Sequence, residues 1–76
     1  MISAVVLINT DIGLSQDKVV EGLKLVEGVE EAHALQGVYD IMIKIKAVTL
    51  EKLKELIKLE IKQVAGVNST LALVMV

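Results

Sequence analysis

The chain has no cysteine, phenylalanine, tryptophan or arginine, and it holds one tyrosine, Tyr39, and one histidine, His33. Without cysteine there are no disulfides, no thiolate metal ligands and no cysteine nucleophile, and a reducing compartment is permitted. Without arginine there is no bidentate fork for phosphate, and eight lysines against ten acidic residues, net charge −2, leave no basic footprint for nucleic acid. No run approaches the about 18 consecutive apolar residues of a membrane helix, and no basic segment precedes the first apolar run. Neither a membrane span nor a targeting segment is expected, and the cytoplasm is the default location.

What is present is aliphatic. Hydrophobic residues make up 54% of the chain, which excludes disorder, and with aromatics nearly missing the core has to be built from Val, Ile, Leu and Ala. The 76 residues make a single domain, 1–76. A chain this short buries only about 60% of the surface its unfolded form exposes, so partner chains are an expected source of further burial.

Ile2 to Ile8 is apolar at nearly every position, with Ala4, Val6 and Ile8 on one face and Val5 and Leu7 on the other. A strand of that kind is covered on both sides and sits centrally in a sheet. The turn-rich stretch Asn9 to Leu14 leads to Ser15, the N-cap of a helix running to about Glu27. Asp17 lies in its first turn, Val19, Val20, Leu23 and Val26 share one face, and Gly28 is the stop. Val29 to Leu35 is mixed in polarity and predicts an edge strand, whereas Ile41 to Ala47 alternates isoleucine against Met42, Lys44 and Lys46. Thr49 caps a second helix whose apolar arc holds Leu50, Leu53, Leu56, Ile57, Ile61 and Val64 and which ends near Gly66. Val67 to Val76 closes the chain as a long strand.

The order βαββαβ with right-handed crossovers predicts an α+β, ferredoxin-like fold: one antiparallel four-stranded sheet with two helices on one face. Strands one and three are then central. Strand one is apolar on both faces, and strand four ends on the apolar run Leu71 to Val76. The sheet face away from the helices therefore calls for cover from another chain, and a twofold homodimer through the sheet is the economical solution.

Gln36, Gly37, Val38, Tyr39 and Asp40 join strands two and three. Gly37 suits a tight hairpin turn at positive φ, which presents main-chain N–H groups at a sheet end beside an aromatic hydroxyl and a carboxylate. Such a turn can hold a small zwitterion, with amides on its carboxylate and Asp40 on its ammonium; the alternative is a plain turn in which Asp40 bonds its own backbone. His33 has no second histidine or cysteine beside it, so it reads as a partly exposed strand residue, with Glu31 as its one nearby partner for acid–base work. No metal, cofactor or catalytic residue is expected. At about 100° per residue Glu60 falls among Leu53, Ile57 and Val64, so its carboxylate either reaches water at the rim or pairs with a lysine of another subunit. Leu25 and Leu59 lie on charged helical faces and suggest a second contact between subunits.

Three features combine into a resemblance that covers essentially the whole chain: the βαββαβ order, Gly37-x-Tyr39-Asp40 between strands two and three, and Gly66-Val67-x-Ser69-Thr70 opening strand four. The chain resembles the effector-binding (RAM) domain of the Lrp/AsnC feast/famine transcriptional regulators. In that family the domain follows a helix-turn-helix domain; this chain starts at the first strand, so the resemblance is to a stand-alone RAM protein. It implies a non-enzymatic amino-acid-sensing module that makes no DNA contact of its own. Domains of the family pair through their sheets, dimers join into octamers or decamers, a small amino acid binds between dimers beside the strand two to three loop, and full-length regulators are implied partners. The resemblance puts Gln36, Gly37, Val38, Tyr39 and Asp40 at the pocket. It adds Ser69 and Thr70, which match the family's small hydroxyl residues and line the pocket from a neighbouring chain.

Two other readings share the topology. A dimeric α+β barrel enzyme calls for aromatic or histidine residues lining a cleft, and the sheet faces here are aliphatic. An ACT-like amino-acid-binding domain places its ligand near Gly13, between strand one and helix one, instead of near Gly37.

Overall fold

The computed structural model describes every residue except Ile12, Leu14 and Val76. Along the chain come β1 (Ile2–Thr10), α1 (Gln16–Lys24), β2 (Val29–Ala34), β3 (Ile41–Ala47), α2 (Leu50–Glu55), a π-helical turn that continues α2 (Leu56–Ile61), and β4 (Val67–Val74). The strands form one antiparallel sheet in the order β2-β3-β1-β4. This is the ferredoxin-like α+β arrangement, with β1 and β3 central and β2 at an edge. The far end of the predicted last strand, Val76, lies outside the described residues, as do Ile12 and Leu14 of the first turn.

Both helices start where the caps predict. Ser15 Oγ accepts from Lys18 N at 3.3 Å and Thr49 Oγ1 from Lys52 N at 3.1 Å, each satisfying an N–H that has no partner inside the helix. α1 stops at Lys24, short of the expected Glu27, because its last turn tightens: Leu25 N bonds Gly22 O and Val26 N bonds Leu23 O. Gly28, at φ 100°, then turns the chain into β2. A Cβ there would meet Leu56 Cδ2 at 2.9 Å and Lys46 O at 3.3 Å, so the α1–β2 corner closes directly on the second helix.

In the second helix Glu60 reaches water at the rim, the first of the two expected outcomes, but it does so by leaving the apolar arc. Lys62 N bonds Ile57 O, five residues back, so the turn between them is wider than an α-turn. The extra residue sets Ile61 at the core position where an unbroken α-helix would set Glu60. Ile61 is fully buried, and Glu60 is exposed at the rim.

The core lies between sheet and helices. Ala4, Val6 and Ile8 of β1, Ala32 of β2 and Ile41, Ile43 and Ile45 of β3 meet Val19, Leu23, Leu53 and Ile61 from the helical layer, all buried. Each valine, leucine or isoleucine among them stabilises the fold by about 1.5–3 kcal/mol on burial. On the other sheet face Leu7 sits between Met42 and Leu71, and Val5 between Lys44 and Leu73. Leu71 and Leu73 keep 43% and 50% of their surface exposed. Toward β2 the same face turns polar, with His33 opposite Met42 and Glu31 opposite Lys44.

Candidate functional site

The β2–β3 connection is a six-residue loop, Leu35 to Asp40, longer than the tight hairpin expected. Leu35 N donates to Asp40 O at 2.7 Å and closes its base, and Asp40 N donates to Ile8 O at 2.9 Å. Beyond that point β3 has no further residue to pair with β1, and the Asp40 side chain continues the ladder. Its Oδ2 accepts from Thr10 N at 2.8 Å and from Thr10 Oγ1 at 3.2 Å. The carboxylate therefore caps the end of β1 and does not fold back on its own loop. Gln16, the first residue of α1, donates from Nε2 to Leu35 O at 2.7 Å and also to Asp40 O.

With its base held in this way, the loop projects from the sheet end. Gln36, Gly37 and Val38 are exposed, and Tyr39 and Asp40 are half-buried. Gly37 has φ 146° and nothing within 4 Å of where a Cβ would stand, so glycine serves conformation there and not space. Among the described residues, the main-chain N–H groups of Gln36, Gly37, Val38 and Tyr39 donate to no protein acceptor. The loop thus offers four consecutive donors and, on Asp40, a second carboxylate oxygen without a protein partner.

Ser69 and Thr70 lie at the same sheet end but not in the same cluster. They pair with Asn9 and Ile8 across β1, about two strand spacings (roughly 10 Å) from the Asp40 backbone. Ile8 points into the core, so Thr70 lies on the helix side, and Ser69, within 3.4 Å of Asn9 Nδ2, lies on the open face. One chain cannot direct both hydroxyls at one ligand from the same face. Thr10 and Gln16, which hold the loop, carry no motif or spacing that singles them out in the sequence.

His33 is an exposed strand residue whose Nε2 lies 3.0 Å from Glu31 Oε1. That hydrogen bond holds the Glu31 carboxyl below the usual carboxylate range, with the charges of His33 and Lys44 adding to it. No cluster of three metal-ligating side chains exists among the described residues. A concavity of about 1040 Å³ lies at the opposite end of the sheet, where Met1, Leu25, Val48 and Leu56 form an apolar floor and Lys52 and Glu60 stand on the rim. It shares no residue with the loop. No helix among the described residues is long and apolar enough to cross a membrane.

The family model for the Lrp/AsnC ligand binding domain matches residues 3–76, and the chain belongs to that family. Its nature is therefore that of the RAM domain and not of the ACT-like alternative. An uncharacterised HTH-type transcriptional regulator of Pyrococcus furiosus is 32% identical over 64 residues, 84% of this chain and 43% of the regulator. The chain thus spans less than half the length of that relative. A homocitrate synthase of Sulfolobus acidocaldarius is 34% identical over 70 residues, 92% of this chain but 15% of the enzyme. Among solved structures, FFRP-DM1 matches with a TM-score of 0.89 and 28% identity over 100% of both chains. A transcriptional regulator of Neisseria meningitidis, solved in complex with L-Met, matches with a TM-score of 0.87 over 99% of this chain and 49% of the regulator; at 10% identity that likeness is one of fold.

Proposed function

We propose that the chain is a non-enzymatic, cytoplasmic effector module that binds a small α-amino acid at the β2–β3 loop, between subunits, and modulates full-length Lrp/AsnC regulators by joining their assemblies. The observation that carries this reading is the four unpartnered N–H groups from Gln36 to Tyr39 beside the unshared oxygen of Asp40. The amides suit a carboxylate and Asp40 Oδ1 suits an ammonium, because a carboxylate has about four lone-pair sites and Thr10 uses two of them. The family description supports a ligand, and the L-Met complex of the Neisseria protein supports its class. With no arginine to grip the ligand carboxylate, affinity falls in the roughly micromolar to millimolar range.

A single chain leaves the loop exposed, so the pocket is closed by a neighbour, whose Ser69 or Thr70 lines it. The open sheet face, with Val5, Leu7, Met42, Leu71 and Leu73, forms a twofold dimer. Leu25, 87% exposed, and Leu59, 60% exposed, serve the dimer–dimer contact of an octamer or decamer. Lys52 and Glu60 stand on the same rim there, so the surface carries both signs of charge and suits a second copy of itself.

Native mass spectrometry with and without each of the twenty amino acids tests both halves of the proposal. The expected result is an even-numbered assembly that takes up ligand in proportion to its chains. A folded monomer at micromolar concentration overturns the assembly, and no uptake of any amino acid at millimolar concentration overturns the sensing. The homocitrate synthase match favours a second reading, in which the same domain serves an enzyme instead of a transcription factor. Mixing the chain with a full-length regulator separates the two, since hetero-assemblies form only under the first.

A further inference from the structure

We infer that Gln16 is the positioning residue of the β2–β3 loop and that, through its side-chain amide, the loop is tied to helix α1. The carbonyl groups at the two ends of the loop, Leu35 O and Asp40 O, both face the first residue of α1, and one Gln16 Nε2 donates to both. A primary amide has two N–H donors, so this bridge uses its full donor capacity and ties the two ends of the loop to each other. Asp40 O also accepts from Leu35 N, whereas among the described residues Gln16 is the sole donor to Leu35 O.

The anchor itself is fixed. Ser15 caps the helix, and Val19 and Leu23, one and two turns further on, are buried against the sheet. Gln16 therefore holds the loop from a rigid element, while its own side chain lies at the loop's base, away from the four outward N–H groups. The effect on ligand rests on the proposed amino-acid site; the effect on loop geometry does not. Because coupling is reciprocal, a ligand that orders the loop also strengthens the first turn of α1.

Two near-isosteric variants separate hydrogen bonding from packing. Gln16→Glu turns a carboxylate toward two carbonyl oxygens at neutral pH, and below about pH 4, the ordinary carboxylate range, protonation returns one donor. Gln16→Leu fills the same space with no donor at any pH. The measurements, made on the full assembled chain, are hydrogen exchange of the Leu35 and Asp40 amides, with the core amide of Val6 as control, and calorimetric amino-acid affinity. At neutral pH both variants are expected to exchange Leu35 and Asp40 at least tenfold faster than wild type with Val6 unchanged, and to bind the amino acid at least tenfold more weakly. Acidification, after correction for intrinsic exchange, restores protection in Gln16→Glu and not in Gln16→Leu. Wild-type protection in both variants overturns the inference, as does unchanged affinity in both when wild type binds. Faster exchange in a protein whose wild type binds no amino acid supports the positioning role and removes the proposed ligand instead. If Gln16→Glu loses Val6 protection as well, Gln16→Leu carries the test.

Discussion

The two edges of the sheet are built differently. β2 is short, interleaves Val29 and Ala32 with Glu30, Glu31 and His33, and carries a hydrogen-bonded pair, Glu31–His33 at 3.0 Å, and an ion pair, Glu30–Lys46 at 3.1 Å. Its register shifts between Val29 and Glu31. β4 is longer, and no charged residue occurs from Val67 to Val76. Its only irregularity is at the start, where Thr10 pairs with Val67 after Asn9 pairs with Ser69. Leu71 and Leu73 are exposed on the open face, and Val74, opposite Ala4, is exposed on the helix side. Charges and register shifts are how an edge is kept from pairing with other chains. β2 is therefore equipped to remain an edge and β4 is not, which localises the demand for a partner to the β4 half of the molecule.

The contrast can be broken most severely at Leu7, on the open face between Met42 and Leu71. Leu7→Asp is expected to dissociate the assembly or unfold the chain, because an unpaired charge buried at an interface costs about 3–5 kcal/mol. Sedimentation and circular dichroism read the outcome, and wild-type behaviour in both would show that this face stays in water. Moving a β2-like charge onto β4 comes next. Leu73→Lys should weaken assembly at least tenfold by light scattering, about 1.4 kcal/mol or more. The converse double variant, Glu31→Leu with His33→Leu, should leave assembly intact and raise turbidity.

A smaller effect is expected between the two edges, at the sheet end they share. Asp40→Ala leaves Thr10 N–H without its acceptor and should cost about 1–3 kcal/mol in urea denaturation. Amino-acid affinity should fall further than stability does, and equal affinity in calorimetry would remove Asp40 from the proposed site. The smallest effect belongs to Glu31. Its folded carboxyl titrates below the ordinary value of 4.5 because of the His33 hydrogen bond first. Its contribution to stability is thus present above pH 4.5 and is lost as pH falls through the lower folded value. Stability curves of wild type and Glu31→Gln should differ slightly above that window and converge below it. The pair is exposed, so salt should shrink the difference.

How far the sequence goes depends on whether a feature is local. β3 is legible to the residue, because isoleucine alternates with longer polar or flexible side chains between Asp40 and Val48. The caps Ser15 and Thr49 are legible because an N-cap needs only its own hydroxyl and a nearby N–H. The π turn is only half legible: Glu60 falling on the apolar arc at about 100° per residue marks the stretch, but the wider turn that resolves it arises from a tertiary demand that Ile61, not Glu60, enter the core. Within the site, the loop around Gly37 is visible as a glycine between two strand-like runs. The opposite facing of Ser69 and Thr70 also follows from strand alternation, a signal that the family resemblance, which pools the two, leaves unused. Gln16 leaves no trace, since a glutamine one position inside a helix is ordinary and its partners lie 19 and 24 residues away.

Tyr39 has an optical consequence. It is the only aromatic residue in the chain, and it is half-buried in the β2–β3 loop next to Asp40. Near-ultraviolet absorbance and intrinsic fluorescence of the protein therefore originate from that one place, with no tryptophan to accept the excitation and no second tyrosine to dilute the signal. A spectroscopist who excites the unlabelled protein observes the loop and nothing else, so the molecule comes with its own probe at the point where occupancy has to be read.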